Sequence, residues 1–366
     1  MTAYGLLVSP SYNRVYAQAA AGLVKAELTV FSERALGGRV RDVRETVMGG
    51  VPYVTFSADE LTEQDVRLLS NLSSLYALYQ IEGELLRPVA LQPLDLFGSD
   101  LLTIQKYSGK TNEYFTKLLL NVTAMAMDSP MDLVTGRPRV LDPMCGRGTT
   151  LNQAMMYGLD AAGIDIDGKD FDAYAAFIKT WLKNNRVKHQ AEIANVRRER
   201  AVIGRRLHVT FGASKERYKS GETMEITVVN ADSTEAGRFF RPASFDLIVT
   251  DAPYGVQHGS RHGRAGDAAR TAAKGAQPGR KGRPQLSRSP VEMLAAAVPE
   301  WARLLRPGGA IGISWNTFVG RREELAGILA SGGLDVQDSD AYRGFRHRVD
   351  QAISRDLIVA RKPSGE

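Results

Sequence analysis

Two short segments of this chain hold residue types that can do chemistry together. Residues 140–150 read V-L-D-P-M-C-G-R-G-T-T, and residues 245–255 read F-D-L-I-V-T-D-A-P-Y-G. Each is an apolar run ending in an acid and then a turn, the form in which α/β domains present ligand-binding groups at the carboxyl edge of a sheet. In the first, Gly146 and Gly148 would let a ligand approach the backbone, because glycine has no Cβ to obstruct it. A further apolar run, 161–165, ends in a carboxylate about 20 residues after that turn, the spacing at which such folds bind ribose hydroxyls. Asp165 is therefore the ribose candidate, with its neighbour Asp167 second, and another run ends in Asn230-Ala231-Asp232. Residues 275–282 superficially resemble a phosphate loop but lack the G-x-x-x-x-G-K-[ST] spacing, so a nucleoside triphosphate is not expected there.

Something must hold these turns at one edge. From residue 139 onward, β-like runs (140–142, 161–165, 226–230, 245–251, 310–315, 352–361) alternate with helix-like ones (151–157, 173–182, 291–305, 321–329). This predicts a Rossmann-like, doubly wound, mostly parallel sheet over 139–366. Residues 101–138 read as a connector and an apolar helix over 112–127, and 1–100 as a smaller α/β or α+β domain. In that domain 4–8 and 51–56 are β-like, while 14–30 and 61–81 have helical apolar spacing, the latter opened by a capping box at 57–60. Pro88, Pro93 and Gly98 mark the connector. Residues 183–206 place Arg and Lys at helical spacing, read as a solvated helix in preference to a basic rim. The basic insertion at 256–290, with Asp267 as its lone acid, is too poor in apolar residues for a core. It is expected to be disordered without a partner, and either holds a polyanion over the site or serves as a linker.

With Leu304-Leu305-Arg306-Pro307-Gly308-Gly309 before an apolar strand, these strand ends in this order resemble the class I S-adenosylmethionine-dependent methyltransferases. The resemblance implies S-adenosylmethionine as cofactor. It puts Asp142 at the ammonium group, with Pro143, Met144, Gly146, Gly148 and Thr149 in the surrounding loop. Asp165 and Ile166 would meet the ribose side, Asp232 the adenine amine, and Asp251 would also border the cofactor. Asp251-Ala252-Pro253-Tyr254 resembles the D/N-P-P-Y/F signature of enzymes that methylate exocyclic or amide nitrogens. An arylamine lone pair is delocalised and weakly nucleophilic. Accepting both N–H groups, by Asp251 and by a carbonyl near Ala252 or Pro253, aims the lone pair at the methyl group and stabilises the growing positive charge. Pro253 restricts the turn, and Tyr254 can stack on a flat base. Ala252 stands where the signature has its first proline. D-A-P also begins the motif of RNA cytosine-C5 methyltransferases, which need a cysteine next; Tyr254 occupies that position, so covalent carbon methylation is not expected. The sole cysteine, Cys145, reads as a small side chain packed beside the cofactor. Residues 106–115, K-Y-S-G-K-T-N-E-Y-F, resemble the segment before the catalytic domain in the TRM11-type tRNA guanine-N2 methyltransferases, where it would fold over the methionine end of the cofactor or act as a connector and helix cap. That family often has an amino-terminal RNA-binding module of the THUMP type. Residues 1–100 have a suitable size, but no motif identifies one.

At 366 residues, 43% of them hydrophobic, the chain can fill two cores. It has no run of about 18 apolar residues and its first 20 lack a secretory pattern, so a soluble cytoplasmic protein is expected, with no membrane partner. One cysteine excludes an internal disulfide and a multi-cysteine zinc site. A net charge of +6 favours a polyanionic partner. The leading expectation is an enzyme methylating the exocyclic amine of an RNA base, guanine N2 in tRNA first. The alternatives are a DNA adenine or cytosine amino-methyltransferase, a protein glutamine methyltransferase, or a non-catalytic nucleic-acid-binding protein. Oligomeric state and any activating subunit stay open.

Overall fold

The computed structural model describes residues 1–11, 14–107, 109–253 and 289–365. The amino-terminal part is an antiparallel sheet with one long helix packed on it. Its elements are β1 (Thr2–Val8), α1 (Arg14–Arg34), β2 (Arg41–Met48), β3 (Val51–Ala58), α2 (Glu63–Leu69), β4 (Leu75–Glu82) and β5 (Leu85–Val89), with strand order β2-β3-β1-β4-β5. Helix α1 buries Leu23, Val24, Leu28 and Phe31 against it.

The helix expected over 61–81 is a correction: α2 stops at Leu69, and the rest becomes β4. Apolar residues fall on both faces of Leu-Tyr-Ala-Leu-Tyr-Gln-Ile, so a helical period and a strand are equally well satisfied there. Pairing with β1 decides for the strand. The capping box lies at Thr62 and Asp65, with Thr62 Oγ1 accepting from the Asp65 amide at 3.2 Å and Asp65 Oδ2 from the Thr62 amide at 2.9 Å. Ser57 cannot play that part, because it is still paired in β3. Pro88, read as connector, sits in β5, an edge strand where a missing N–H does no harm.

Next come α3 (Asp100–Thr103), α4 (Glu113–Met125) and α5 (Asp132–Thr135). Asn112 caps α4, its Oδ1 accepting from the Tyr114 and Phe115 amides. The larger sheet follows: β6 (Val140–Asp142), α6 (Thr149–Met156), β7 (Ala161–Asp165), α7 (Gly168–Asn184), β8 (His189–Arg198), β9 (Ala201–Phe211), α8 (Lys215–Lys219) and β10 (Met224–Asn230). A 3-10 turn (Ser233–Arg238) leads to β11 (Phe245–Asp251), α9 (Pro290–Leu304), β12 (Leu305–Asn316), α10 (Arg322–Ser331), β13 (Asp335–Gln337), β14 (His347–Arg348) and β15 (Ser354–Arg361). The strands run β13-β15-β12-β11-β6-β7-β10-β9-β8, with β14 beside β15. Strands β12, β11, β6, β7 and β10 are mutually parallel, whereas β15 and β9 pair antiparallel to β12 and β10. The order runs outward in both directions from β6, so the switch point lies between β6 and β11, where such sheets open a crevice at their carboxyl ends.

The basic helix expected within 183–206 is a second correction. Helix α7 ends at Asn184, and the charged residues lie on a β8–β9 hairpin. Leu207, Val209 and Phe211 are buried while His208 and Thr210 are not, a period of two that outweighs the spacing of the charges. At the far end of the basic insertion, Ser289 caps α9 and Pro290 is its first residue, so 289–290 are ordered helix start and not part of a flexible segment. Residues 256–288, including 275–282, lie outside the described residues.

One apolar cluster joins α1, α4, α6 and α7 to the facing sides of both sheets, and a second lies under α9 and α10. Within the first is a buried polar network. The Glu27 carboxylate on α1 accepts from Ser73 Oγ (2.6 Å), the Ser73 amide and Asn121 Nδ2 on α4 (2.7 Å), and Tyr157 donates its hydroxyl to Asn121 Oδ1 at 3.0 Å. No described helix is long and apolar enough to cross a membrane.

Candidate active site

The carboxyl ends of β6, β7 and β11 bring the expected acids to one edge. Asp142 ends β6 and is buried; its Oδ1 accepts from Thr250 Oγ1 on neighbouring β11 at 2.7 Å and from the Met144 amide at 3.1 Å. Burial pushes this carboxyl up to about 6, against the pull of those hydrogen bonds. Pro143 and Cys145 are buried behind the turn, and burial pushes the Cys145 thiol up, so it behaves as packing.

The two glycines of the turn differ in surroundings. Both have positive φ, 49° at Gly146 and 79° at Gly148. A Cβ at Gly146 would meet nothing within 4 Å, so the backbone there faces open space. A Cβ at Gly148 would collide with the Tyr174 ring, so its small size serves the packing of α7 on the first turn of α6. Thr149 begins α6, with its Oγ1 3.2 Å from the Tyr107 hydroxyl.

Asp165 ties the turn to β7: Oδ2 accepts from the Gly146 amide at 2.7 Å and Oδ1 from the Asp167 amide at 2.8 Å. Burial raises its pKa despite both bonds. Asp167 is the cap of α7, accepting from the Lys169 amide. Ile166 between them is 72% exposed, an apolar side chain on the crevice edge. Asp232 follows β10 and caps the 3-10 turn through Thr234.

At the end of β11, Asp251 Oδ1 accepts from Ser314 Oγ at 2.7 Å and Oδ2 from Thr111 Oγ1 at 2.5 Å, with Arg355 Nη2 at 3.4 Å. Ser314 is there because β12 runs parallel with Ser314 in register with Asp251. Arg355 comes from β15 and is almost wholly buried, its guanidinium 4.5 Å from the centre of the Phe115 ring. Burial lowers its pKa and the Asp251 charge opposes that. The Ala252 amide donates to the Ser314 carbonyl at 2.8 Å, and its methyl is buried in the second cluster. A proline at 252 could not make that bond. Pro253 is exposed; Tyr254 lies outside the described residues.

Thr111, Ser314 and Arg355 are site residues that the sequence reading did not single out as such. Thr111 lay within the 106–115 segment, but Ser314 is found only by strand register and Arg355 only by the antiparallel return of β15. The segment before α4 spans the site. Gln105 Nε2 reaches the Arg147 carbonyl at 3.5 Å, the Arg147 guanidinium lies 4.8 Å from the Tyr107 ring centre, and Thr111 reaches Asp251. Beside it is a cavity of about 810 Å³ lined by Tyr16, Tyr107, Thr111, Tyr114, His347 and Arg355. Among the described residues no group of His, Cys, Asp and Glu could hold a metal ion.

A parallel sheet switching direction between β6 and β11, an acid at the end of each of β6, β7 and β11, and an unobstructed glycine in the first turn define a class I S-adenosylmethionine-dependent methyltransferase. Residues 123–266 match the family model described as RMKL-like, methyltransferase domain; the protein is a methyltransferase with S-adenosylmethionine as cofactor. No curated protein matches the sequence. Among solved structures, PH0226 from Pyrococcus horikoshii OT3 is 11% identical over 72% of this chain and 96% of its own, with a TM-score of 0.37. TrmN from Thermus thermophilus is 16% identical over 88% of this chain and 60% of its own, with a TM-score of 0.37. A putative rRNA-methylase from Clostridium thermocellum is 14% identical over 62% and 88%, with a TM-score of 0.32.

Proposed function

We propose that this methyltransferase acts on the exocyclic amine of an RNA base, with guanine N2 in tRNA as the first candidate. The observation that carries the reading is the Asp251 carboxylate, held at the crevice by Thr111, Ser314 and Arg355 and followed by Ala252-Pro253-Tyr254. A fixed acceptor is what a weakly nucleophilic amine needs: it takes one N–H, a carbonyl near Ala252 or Pro253 takes the other, and the lone pair is left directed at the methyl group. Arg355 balances the carboxylate charge in a partly buried place. The cofactor supplies an electrophilic methyl group when bound. The residues present fit it: the buried Asp142 offers a carboxylate for its ammonium, Asp165 for its ribose, exposed Ile166 an apolar face and Asp232 an acid for the adenine side, while Gly146 leaves the turn open. RNA is favoured as substrate by the net charge of +6 and by the resemblance of Asp251 to Tyr254 to base-amine methylases.

The test is transfer of labelled methyl groups into RNA, DNA and protein fractions, followed by nucleoside mass spectrometry. N2-methylguanosine in tRNA is the expected product. Label confined to DNA or to protein would replace the substrate reading with an amino-methylation of that polymer.

A further inference from the structure

The β8–β9 hairpin is longer than the sheet it extends. Pairing of β9 with β10 ends at Asn230 and Arg205, yet β9 begins at Ala201 and β8 continues to Arg198, where those two pair with each other. Because β9 is antiparallel to β10, the overhang projects past the carboxyl edge, the same edge that bears Asp142, Asp165 and Asp251. Residues 201–204, at about 3.3 Å each, make an arm of about 13 Å before the turn. The turn is tight, with Glu199 and Arg200 at φ of 51° and 65°, the left-handed pair that joins two strands through two residues.

Charge on the hairpin is divided between base and tip. At the base, Arg205 is held by Asp172 at 2.6 Å and lies over the Phe171 ring, and Arg206 donates to the Phe239 carbonyl. At the tip, Arg197, Arg198 and Arg200 are all exposed, and none of their side chains has an ion pair or hydrogen bond among the described residues. Glu199 is the only acid beside them. An edge strand can carry such charges merely to discourage pairing with other sheets. Charges for that purpose would be spread along the free edge of β8, whereas Arg197 and Arg198 stand together at the end of that strand and Arg200 in the turn, where the ribbon leaves the sheet at its carboxyl edge.

We propose that this arm is an RNA-docking element, whose three arginines grip the phosphates of the substrate strand beside the crevice. The proposal rests on the RNA reading of the active site. Strands β9 and β11 are four strand spacings apart, about 19 Å, so the arm meets the strand at some distance from the reacting base and on the cofactor's adenine side. Contacts to phosphate fix position and carry no base sequence, so the arm contributes affinity and register and leaves base choice to the pocket.

The experiment compares the whole chain with the triple variant R197S/R198S/R200S in binding to purified tRNA across about 50 to 200 mM salt. Expected are a loss of affinity of tenfold or more at the low end and a log–log salt slope shallower by about 2 to 3, since each phosphate contact contributes about 0.7 to 0.9. Cofactor affinity by calorimetry and the methyl-transfer rate at saturating RNA should be unchanged, which also shows that the variant is folded. The three single Arg→Ser variants should each flatten the slope by about 1, and serve if the triple variant does not fold. Equal affinity and slope for variant and wild type, with RNA methylated by both, would overturn the arm and leave the RNA reading standing. Failure of the wild type to bind RNA at all would overturn both.

Discussion

Asp251 is surrounded by donors from three separate parts of the chain, so its carboxylate is fixed before substrate arrives. An acceptor that strengthens its hold as charge builds on nitrogen acts on the transition state more than on binding. Asp251→Ala should therefore lower turnover by about 100-fold or more and leave S-adenosylmethionine affinity nearly intact; full activity in single-turnover assays would remove it from this role. Asp142 invites a different measurement. Its carboxyl is pushed up to about 6 in the folded chain, against 3.8 for the free side chain. Stability from this group is therefore complete below about pH 3.8 and falls as pH rises through 6, by about 3 kcal/mol in all. A ligand ammonium reverses the preference, because it favours the ionised form. Cofactor affinity should rise between pH 5 and about 6.5 and then level off, and calorimetry on Asp142→Asn should show weaker binding with a smaller pH slope. Asp165 is also raised and shifts in the same sense, so a slope unchanged in Asp142→Asn would transfer the effect to it.

Strands β7 and β11 occupy the residues expected of them, 161–165 and 245–251, because short apolar runs ending in an acid and a turn have few other ways to be buried. The parallel sheet was legible for this reason. β4 and the β8–β9 hairpin were not, since both carry residues at spacings that suit either period, and only their partners β1 and β10 settle which is used. The site divides along the same line. Asp142, Gly146, Asp165 and Asp251 sit in local strand-and-turn patterns, while Ser314 and Arg355 owe their places to register across β12 and β15. Register also accounts for Ala252. Its amide continues the β11–β12 ladder by one bond to Ser314, where the resembling signature has a proline. Ala252→Pro should cost about 1 to 3 kcal/mol by leaving that carbonyl without its donor, read as a lower denaturant midpoint. A variant as stable as the wild type would mean that the turn tolerates either residue.

The two sheets are joined through polar groups as well as apolar ones. Asn121 on α4 serves both sides: it donates to Glu27 and to the Asn71 carbonyl, and accepts from Tyr157. Removing it leaves a buried acid short of a donor, and Glu27 already has its pKa raised by burial. Asn121→Ala should thus destabilise the whole chain by about 2 to 4 kcal/mol, with both sheets melting together in a single transition. Two separated transitions would show that the network does not couple them.

Helix α4 carries that network on its buried face, and the segment leading into it reaches Asp251. Its residues Phe115, Leu118, Leu119 and Val122 are wholly or almost wholly buried, in a cluster shared with Leu23, Val24 and Leu28 of α1. A fragment cut to begin at residue 101 would keep every acid proposed to hold the cofactor yet expose this apolar helix face to water. It would be a sticky, protease-sensitive product, and attempts to express the catalytic half by itself should yield aggregates even though nothing that touches the methyl group has been removed.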